Sequence, residues 1–156
     1  MDIHIHTTAS SALGNITIWS ALLAWVAAQA IKFTAHYLRT KEMDFRFIVS
    51  TGGMPSAHSA MVCALTTSVG LRMGVDTALF AVTLAFAIVV MFDAQSVRRA
   101  AGQQARLLNQ VVAELLKDHH LSKEKLREML GHTRHEVFVG LCLGILVALL
   151  VHALAS

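Results

Sequence analysis

The chain is poor in charge. Only 15% of its 156 residues are Asp, Glu, Lys or Arg, while 55% are hydrophobic. A water-soluble domain carries about a quarter charged residues, so the balance argues against one and points to a membrane as the solvent. Cysteine is scarce as well. Cys63 and Cys142 both fall inside apolar runs and read as small buried hydrophobes rather than a disulfide pair. Met1 to Asn15 contains no Lys or Arg, so the basic start of a secretory signal peptide is missing from the apolar run that follows. There is no internal repeat and no low-complexity segment, and the length suits one domain. The single proline, Pro55, sits in "STGGMPSAHS" with Gly52, Gly53 and His58, at the opening of an apolar run.

What the chain does have is four apolar segments, at about Ile16–Leu38, Ser56–Met73, Thr77–Phe92 and Val137–Leu154. A membrane span needs about 20 mostly apolar residues, and in lipid a helix satisfies its own backbone. The expected fold is therefore all-α, a polytopic membrane bundle of four transmembrane helices in a single domain over residues 1–156, with residues 1–15 a polar N-terminal segment. The second segment is the weakest, diluted by Ser59, Thr66, Thr67 and Ser68. Between the third and fourth runs, "VRRAAGQQARLLNQVVAELLK" places Val97, Ala101, Leu108, Val111 and Leu115 at helical spacing. "LSKEKLREMLGHT" reads as a second short helix capped at Ser122 and stopped at Gly131. Both are expected to lie at the membrane surface and cover the bundle.

Basic residues are distributed unevenly. Lys32, Arg39, Lys41 and Arg46 fall at or after the end of the first run, and Arg98, Arg99, Arg106, Lys117, Lys123, Lys125, Arg127 and Arg134 follow the third. With four spans these share one side, which holds 12 of the 13 basic residues, and Arg72 alone lies opposite. The positive-inside rule makes that side cytoplasmic. The chain is expected in a bacterial inner membrane.

Ionisable residues at a membrane edge are costly and mark function by default. Lys32 and Arg39 close the first run, His58 opens the second, Asp93, Arg98 and Arg99 close the third, and His132 and Glu136 open the fourth, all on the basic side. Helix starts add free N–H groups and the positive end of the dipole. In "GGMPSAHS", Pro55 suits the first helical position. Gly52 and Gly53 permit a tight turn and close backbone approach, and Ser56 adds a hydroxyl. An anion cradle and a well-capped helix start fit this motif equally well. Of the nine histidines, His4, His6, His119 and His120 lie in polar regions and His36 and His152 at the interface. His58, His132 and His135 remain. His132 and Glu136, four apart, are expected on one helical face, where a carboxylate on one ring nitrogen raises the basicity of the other. That is half of a nucleophilic device. His132, His135 and Glu136 on one turn are too few partners for a metal, and no cofactor is expected.

These residues resemble those of the type 2 phosphatidic acid phosphatases, a family that includes the vanadium haloperoxidases and carries the motifs K-x6-RP, PSGH and SR-x5-H-x3-D. "KFTAHYLR" (Lys32 to Arg39) has the first spacing, "PSAH" (Pro55 to His58) resembles the second and "HTRHE" (His132 to Glu136) the third. The match is closest to a divergent branch of small bacterial and plant membrane proteins with "GGMPSSHSA", "FDAxxVRRAAGxQAxxLN" and "LGHTxxEVxxGxxLGI". Here these read "GGMPSAHSA", "FDAQSVRRAAGQQARLLN" and "LGHTRHEVFVGLCLGI". Thr40 stands where the first motif has proline, Ala57 where the second has glycine and Glu136 where the third has aspartate. Leu126 occupies the third-motif arginine position, with Arg127 one place off and Arg98 or Arg99 the more attractive substitute.

The resemblance implies a metal-independent phosphatase acting on a lipid phosphate or prenyl diphosphate. His132 would attack phosphorus, Glu136 would orient it, and His58 would protonate the leaving oxygen and then activate water. Lys32, Arg39, Gly53, Ser56, Arg98 and Arg99 would hold the phosphate oxygens, with Asp93 orienting an arginine. Phosphoryl transfer relies mainly on such electrostatic preorganisation. The family's usual bundle has six membrane helices, so four imply a stripped bundle or a homodimer. Lipids are the expected partners, and nucleic acid is not. The alternative is a non-catalytic phospholipid- or anion-binding membrane protein that retains the pocket. A haloperoxidase fits poorly, because four apolar spans suit freely diffusing peroxide and halide badly.

Overall fold

The structure is a computed structural model, and it describes residues 14–41, 53–115 and 133–155. The described residues are all-helical, with no strand among them. The elements are α1 (Ile16–Thr40), α2 (Ala57–Met73), α3 (Ala78–Phe92), a π-turn (Asp93–Val97), α4 (Arg98–Leu115) and α5 (Arg134–Ala155). Three stretches are long and apolar enough to cross a membrane: Ile16–Leu38, Ala78–Val112 and Arg134–Ala155.

Each helix starts where the local chemistry provides a cap. Asn15 accepts from Thr17 N (3.0 Å) and opens α1. Thr77 accepts from Phe80 N (3.3 Å) and opens α3, while its hydroxyl donates to Gly74 O (2.9 Å) and ties the α2–α3 turn. Gly74 ends α2 at φ 92°, a conformation glycine adopts without the Cβ penalty.

The sequence reads Ser56–Met73 as the weakest span, and the structure explains why. With 17 residues α2 is about 25 Å long. It occupies the centre of the bundle, packed on α1, α3 and α5. Its hydroxyls therefore face protein rather than lipid, and each finds a partner. Thr66 Oγ1 donates to Val62 O (2.9 Å) and also lies 3.1 Å from Thr83 O on α3. Ser68 Oγ donates to Thr17 Oγ1 on α1 (3.0 Å) and lies 2.8 Å from His152 Nε2 on α5. His152, read from sequence as an interface side chain, thus joins a three-helix lock.

The contact surfaces are made of small residues. Ala24 and Ala28 of α1, Ala57, Ala60 and Ala64 of α2 and Ala148 of α5 form one buried cluster. Gly140 and Gly144 bring the α5 backbone onto α2. A Cβ on Gly140 would lie 2.5 Å from Ser56 O, and one on Gly144 would collide with Ala60 O. Small residues at four-residue spacing permit this approach where lipid offers no hydrophobic drive between helices. Large apolar side chains point outward instead. Val82, Phe86 and Val89 on α3 are exposed, and Ala87 is the one α3 residue that is buried. Such a surface suits lipid, not water.

The stretch after α3 departs from expectation. The helix does not stop at Phe92. It passes through the π-turn into α4, and the main packing partner of α4 is that π-turn rather than the bundle. A cover over the bundle is thus not what α4 forms. The expected helix from Ser122 to Gly131 and the segment 1–13 lie outside the described residues.

Candidate functional site

Three chain segments meet at one end of the bundle. The first is the C-terminal half of α1. Ala21, Ala24, Ala28 and Lys32 form one inward stripe, each buried, with Lys32 only 5% exposed. A buried ammonium is costly without compensating charge, which makes Lys32 a candidate partner for an anion. The second segment is the loop from Gly53 to Ser56 that leads into α2. Gly53 takes φ 81°, which lets the loop turn back over the end of α1. The third is the first turn of α5.

A backbone hydrogen bond joins the second and third segments: Ser56 N donates to Glu136 O (3.0 Å). The loop holding the proline motif is thereby fastened to the turn holding the acidic residue, although 80 positions separate them (136 minus 56). The starts of α2 and α5 converge here, each with the positive end of its dipole. Beside Lys32 lies a cavity of about 360 Å³, lined also by His36, Gly53, Met54 and Pro55, with Ile31, Ala35, Val139 and Leu143 on its apolar side. That size falls in the range of small-ligand sites. A cation at the inner wall, converging helix starts and an apolar flank suit an anionic head carried on an apolar tail.

The site differs in detail from the sequence expectation. Pro55 is not the first helical residue. It precedes the N-cap Ser56, and α2 begins at Ala57. Ser56 is fully buried, and its hydroxyl accepts from Ser59 N (3.4 Å) and Ser59 Oγ (3.0 Å), so it first serves as a cap. Ala57, which replaces the motif glycine, is 2% exposed and packs in the small-residue cluster. Its methyl group fills the helix interface, not the cavity. Thr40, which replaces the motif proline, ends α1 and donates to His36 O (3.0 Å).

The expected i, i+4 pairing of His132 with Glu136 falls partly outside the described residues, and Glu136 is seen in a helix cap. α5 starts at Arg134, with Val137 N donating to Thr133 O (3.2 Å). Thr133 is therefore the N-cap. Glu136 Oε2 accepts from Thr133 N (3.0 Å) and Glu136 N donates to Thr133 Oγ1 (3.4 Å), a reciprocal capping box. The T-x-x-E pattern in "HTRHE" was the signal for it. His132 itself lies outside the described residues, as do Gly52, Leu126 and Arg127.

Of the remaining candidates, His58 is half-buried in the first turn of α2. Asp93 is half-buried and opens the π-turn, which packs against α3, α4 and α5. Arg98 and Arg99 begin α4, and Arg39 stands seven residues beyond Lys32 on α1. The structure thus brings together Lys32, Gly53, Ser56 and Glu136. His36, assigned from sequence to the interface, lines the cavity one turn beyond Lys32. Its i, i+4 spacing from Lys32 carried that information.

An all-helical bundle with lipid-compatible faces and a buried lysine at its end defines an integral membrane protein with a polar end pocket. Residues 13–147 match the Divergent PAP2 family, and the chain belongs to that family. It is 43% identical over 148 residues to the Bacillus subtilis (strain 168) protein called "Uncharacterized membrane protein YuiD", covering 88% of this chain and 94% of that one. No solved structure matches the chain significantly.

Proposed function

We propose that the protein is a membrane-embedded phosphatase that hydrolyses a lipid phosphate or prenyl diphosphate without a metal. The observation that carries the proposal is Lys32, a cation buried at 5% exposure beside the Gly53–Ser56 loop and Glu136. A nitrogen of His132 attacks phosphorus, and the P–O bond to the lipid breaks as His58 protonates the leaving oxygen. His58 then takes a proton from water, whose oxygen displaces His132 and releases inorganic phosphate. Glu136 orients His132. Lys32, Arg39, Gly53, Arg98 and Arg99 hold the phosphate oxygens with Ser56 at the base, and Asp93 supports an arginine. The apolar flank of the cavity suits a lipid tail.

All four bundle helices cross the bilayer in this proposal. The Lys32–Ser56–Glu136 end faces the cytoplasm of a bacterial cell and the Ser68–His152 end faces outward. A cysteine at Lys123 would then resist impermeant thiol reagents in intact cells, and rapid labelling there reverses the orientation. Purified protein is expected to release phosphate from a lipid-phosphate panel, with inhibition by vanadate and none by chelators. Inactivity across the panel, together with vanadate binding that survives His132→Ala, sinks the catalytic proposal.

One observation favours a second reading. Glu136 Oε2 is already engaged by Thr133 N, which suits a pocket that binds a phosphorylated lipid without turning it over. Saturable binding of such a lipid with no phosphate release selects it.

A further inference from the structure

On the side of α5 away from Lys32 a second cavity, of about 460 Å³, opens between the end of α3, the π-turn and the first two turns of α5. Its walls are apolar, from Ile88, Met91 and Phe92 on one side and Phe138 and Leu141 on the other. Its floor continues into the buried cluster of Val62, Cys63 and Ala87, on which Met91 and Leu141 pack. Its remaining polar side chains are Gln95, Arg134 and His135, and no Asp or Glu lines it.

The arrangement has two chemically distinct parts. Arg134, Phe138 and Leu141, spaced four and three apart, share one face of α5, so the cation sits at the helix start and the apolar wall runs inward from it. Phe92 and Phe138 are 69% and 63% exposed among the described residues, an apolar surface that suits a hydrocarbon chain. An arginine at the mouth of an apolar groove with no carboxylate among its described lining residues presents a fork of donors matched to phosphate. An anionic head with an attached acyl chain satisfies both parts at once, and a soluble anion satisfies only the first.

We propose that this groove holds an anionic membrane phospholipid as a resident ligand. Its phosphate lies at Arg134 and His135, and one acyl chain lies along Phe92, Phe138 and Leu141. The lipid bridges α3 and the π-turn to α5 and steadies the start of α5, where Glu136 is held. None of the side chains that bind it belongs to the proposed phosphatase machinery, so the proposal stands or falls separately from catalysis.

The full chain in mild detergent, stripped of lipid and titrated with phosphatidylglycerol or phosphatidylcholine, provides the test by native mass spectrometry. One phosphatidylglycerol is expected to bind about fivefold more tightly than phosphatidylcholine: both carry the phosphate, but the choline ammonium cancels its charge and opposes Arg134, a difference of about one surface charge. Phosphatidylglycerol with a photoreactive acyl chain should cross-link to Phe92, Phe138 or Leu141. Arg134→Gln with His135→Gln should erase the preference, and Lys32→Met should leave it. Both altered side chains are exposed, so folding should survive. Equal affinity for the two lipids overturns the proposal. So do cross-links confined to other faces, loss of the preference in Lys32→Met but not in the double variant, or a stable dimer that buries Phe92 and Phe138 and excludes lipid.

Discussion

Gly144→Ala sets two physical effects against each other. In an isolated helix the change is favourable by about 1 kcal/mol, because alanine is the better helix former. In the bundle the new methyl group would meet the carbonyl of Ala60 on one side, with Ala60 C and Ala64 N each 3.0 Å away. These are backbone atoms of the central helix and cannot swing aside, so α5 must retreat from α2. Overpacking costs about 1–3 kcal/mol, and a rigid backbone neighbour argues for the upper end. The net loss is then about 2 kcal/mol, a fall in unfolding midpoint of about 4–8 °C for a chain of this size. Gly70→Ala is the matched control. Its methyl group would meet the Phe80 ring at 3.0 Å, a side chain able to rotate, so its change should stay within about 1 kcal/mol of neutral or be favourable. Cys63 reports unfolding directly, because it is 7% exposed beside Met91. With Cys142→Ala in the background, a thiol-reactive fluorogenic dye in a thermal ramp follows its release. A midpoint for Gly144→Ala equal to or above that of Gly70→Ala would refute the claim that backbone contact between α2 and α5 holds the bundle.

Three further outcomes are expected. Lys32→Met should abolish vanadate or phosphate binding while leaving the thermal midpoint unchanged or higher, because a buried ammonium is costly to desolvate; equilibrium dialysis and the thiol ramp separate the two effects. Ser68→Ala should cost about 1–2 kcal/mol, since it strips Thr17 and His152 of a shared buried partner, and Ser68→Ala with His152→Phe should recover part of it in the same ramp. Thr133→Ala should cost about 1 kcal/mol by removing the cap of α5, and Thr133→Ser should restore it, as read by helicity and midpoint.

The helices were legible because a membrane solvent imposes a coarse rule that sequence obeys. The segments read at Ile16–Leu38, Ser56–Met73, Thr77–Phe92 and Val137–Leu154 agree with α1, α2, α3 and α5 to within a few residues. The candidate site was legible in residue type more than in geometry. Lys32, Gly53, Ser56 and Glu136 do converge, but Pro55 precedes the helix and Thr133 forms a capping box with Glu136 across the first turn of α5. A cap depends on which residue leaves helical geometry first, and hydrophobic pattern does not encode that to one residue. The continuation of α3 into α4 was hidden for a similar reason. A π-turn keeps the backbone hydrogen-bonded while shifting the register, so the polar residues that look like a boundary do not end the helix.

By itself, the sequence determined that this chain lives in a membrane, where its helices run and which ionisable residues cannot be there for solubility. These properties follow from local composition, since the cost of placing a residue in lipid is largely its own. Tertiary structure alone decided which helix lies inside and which polar groups meet. The most polar of the four bundle segments, α2, became the centre because its hydroxyls find partners on three neighbours. Gly140 and Gly144, unremarked in the sequence, proved to be the surface on which α5 rests. Ser56 and Glu136 are far apart along the chain, and only helix packing could join the proline motif to the acidic one.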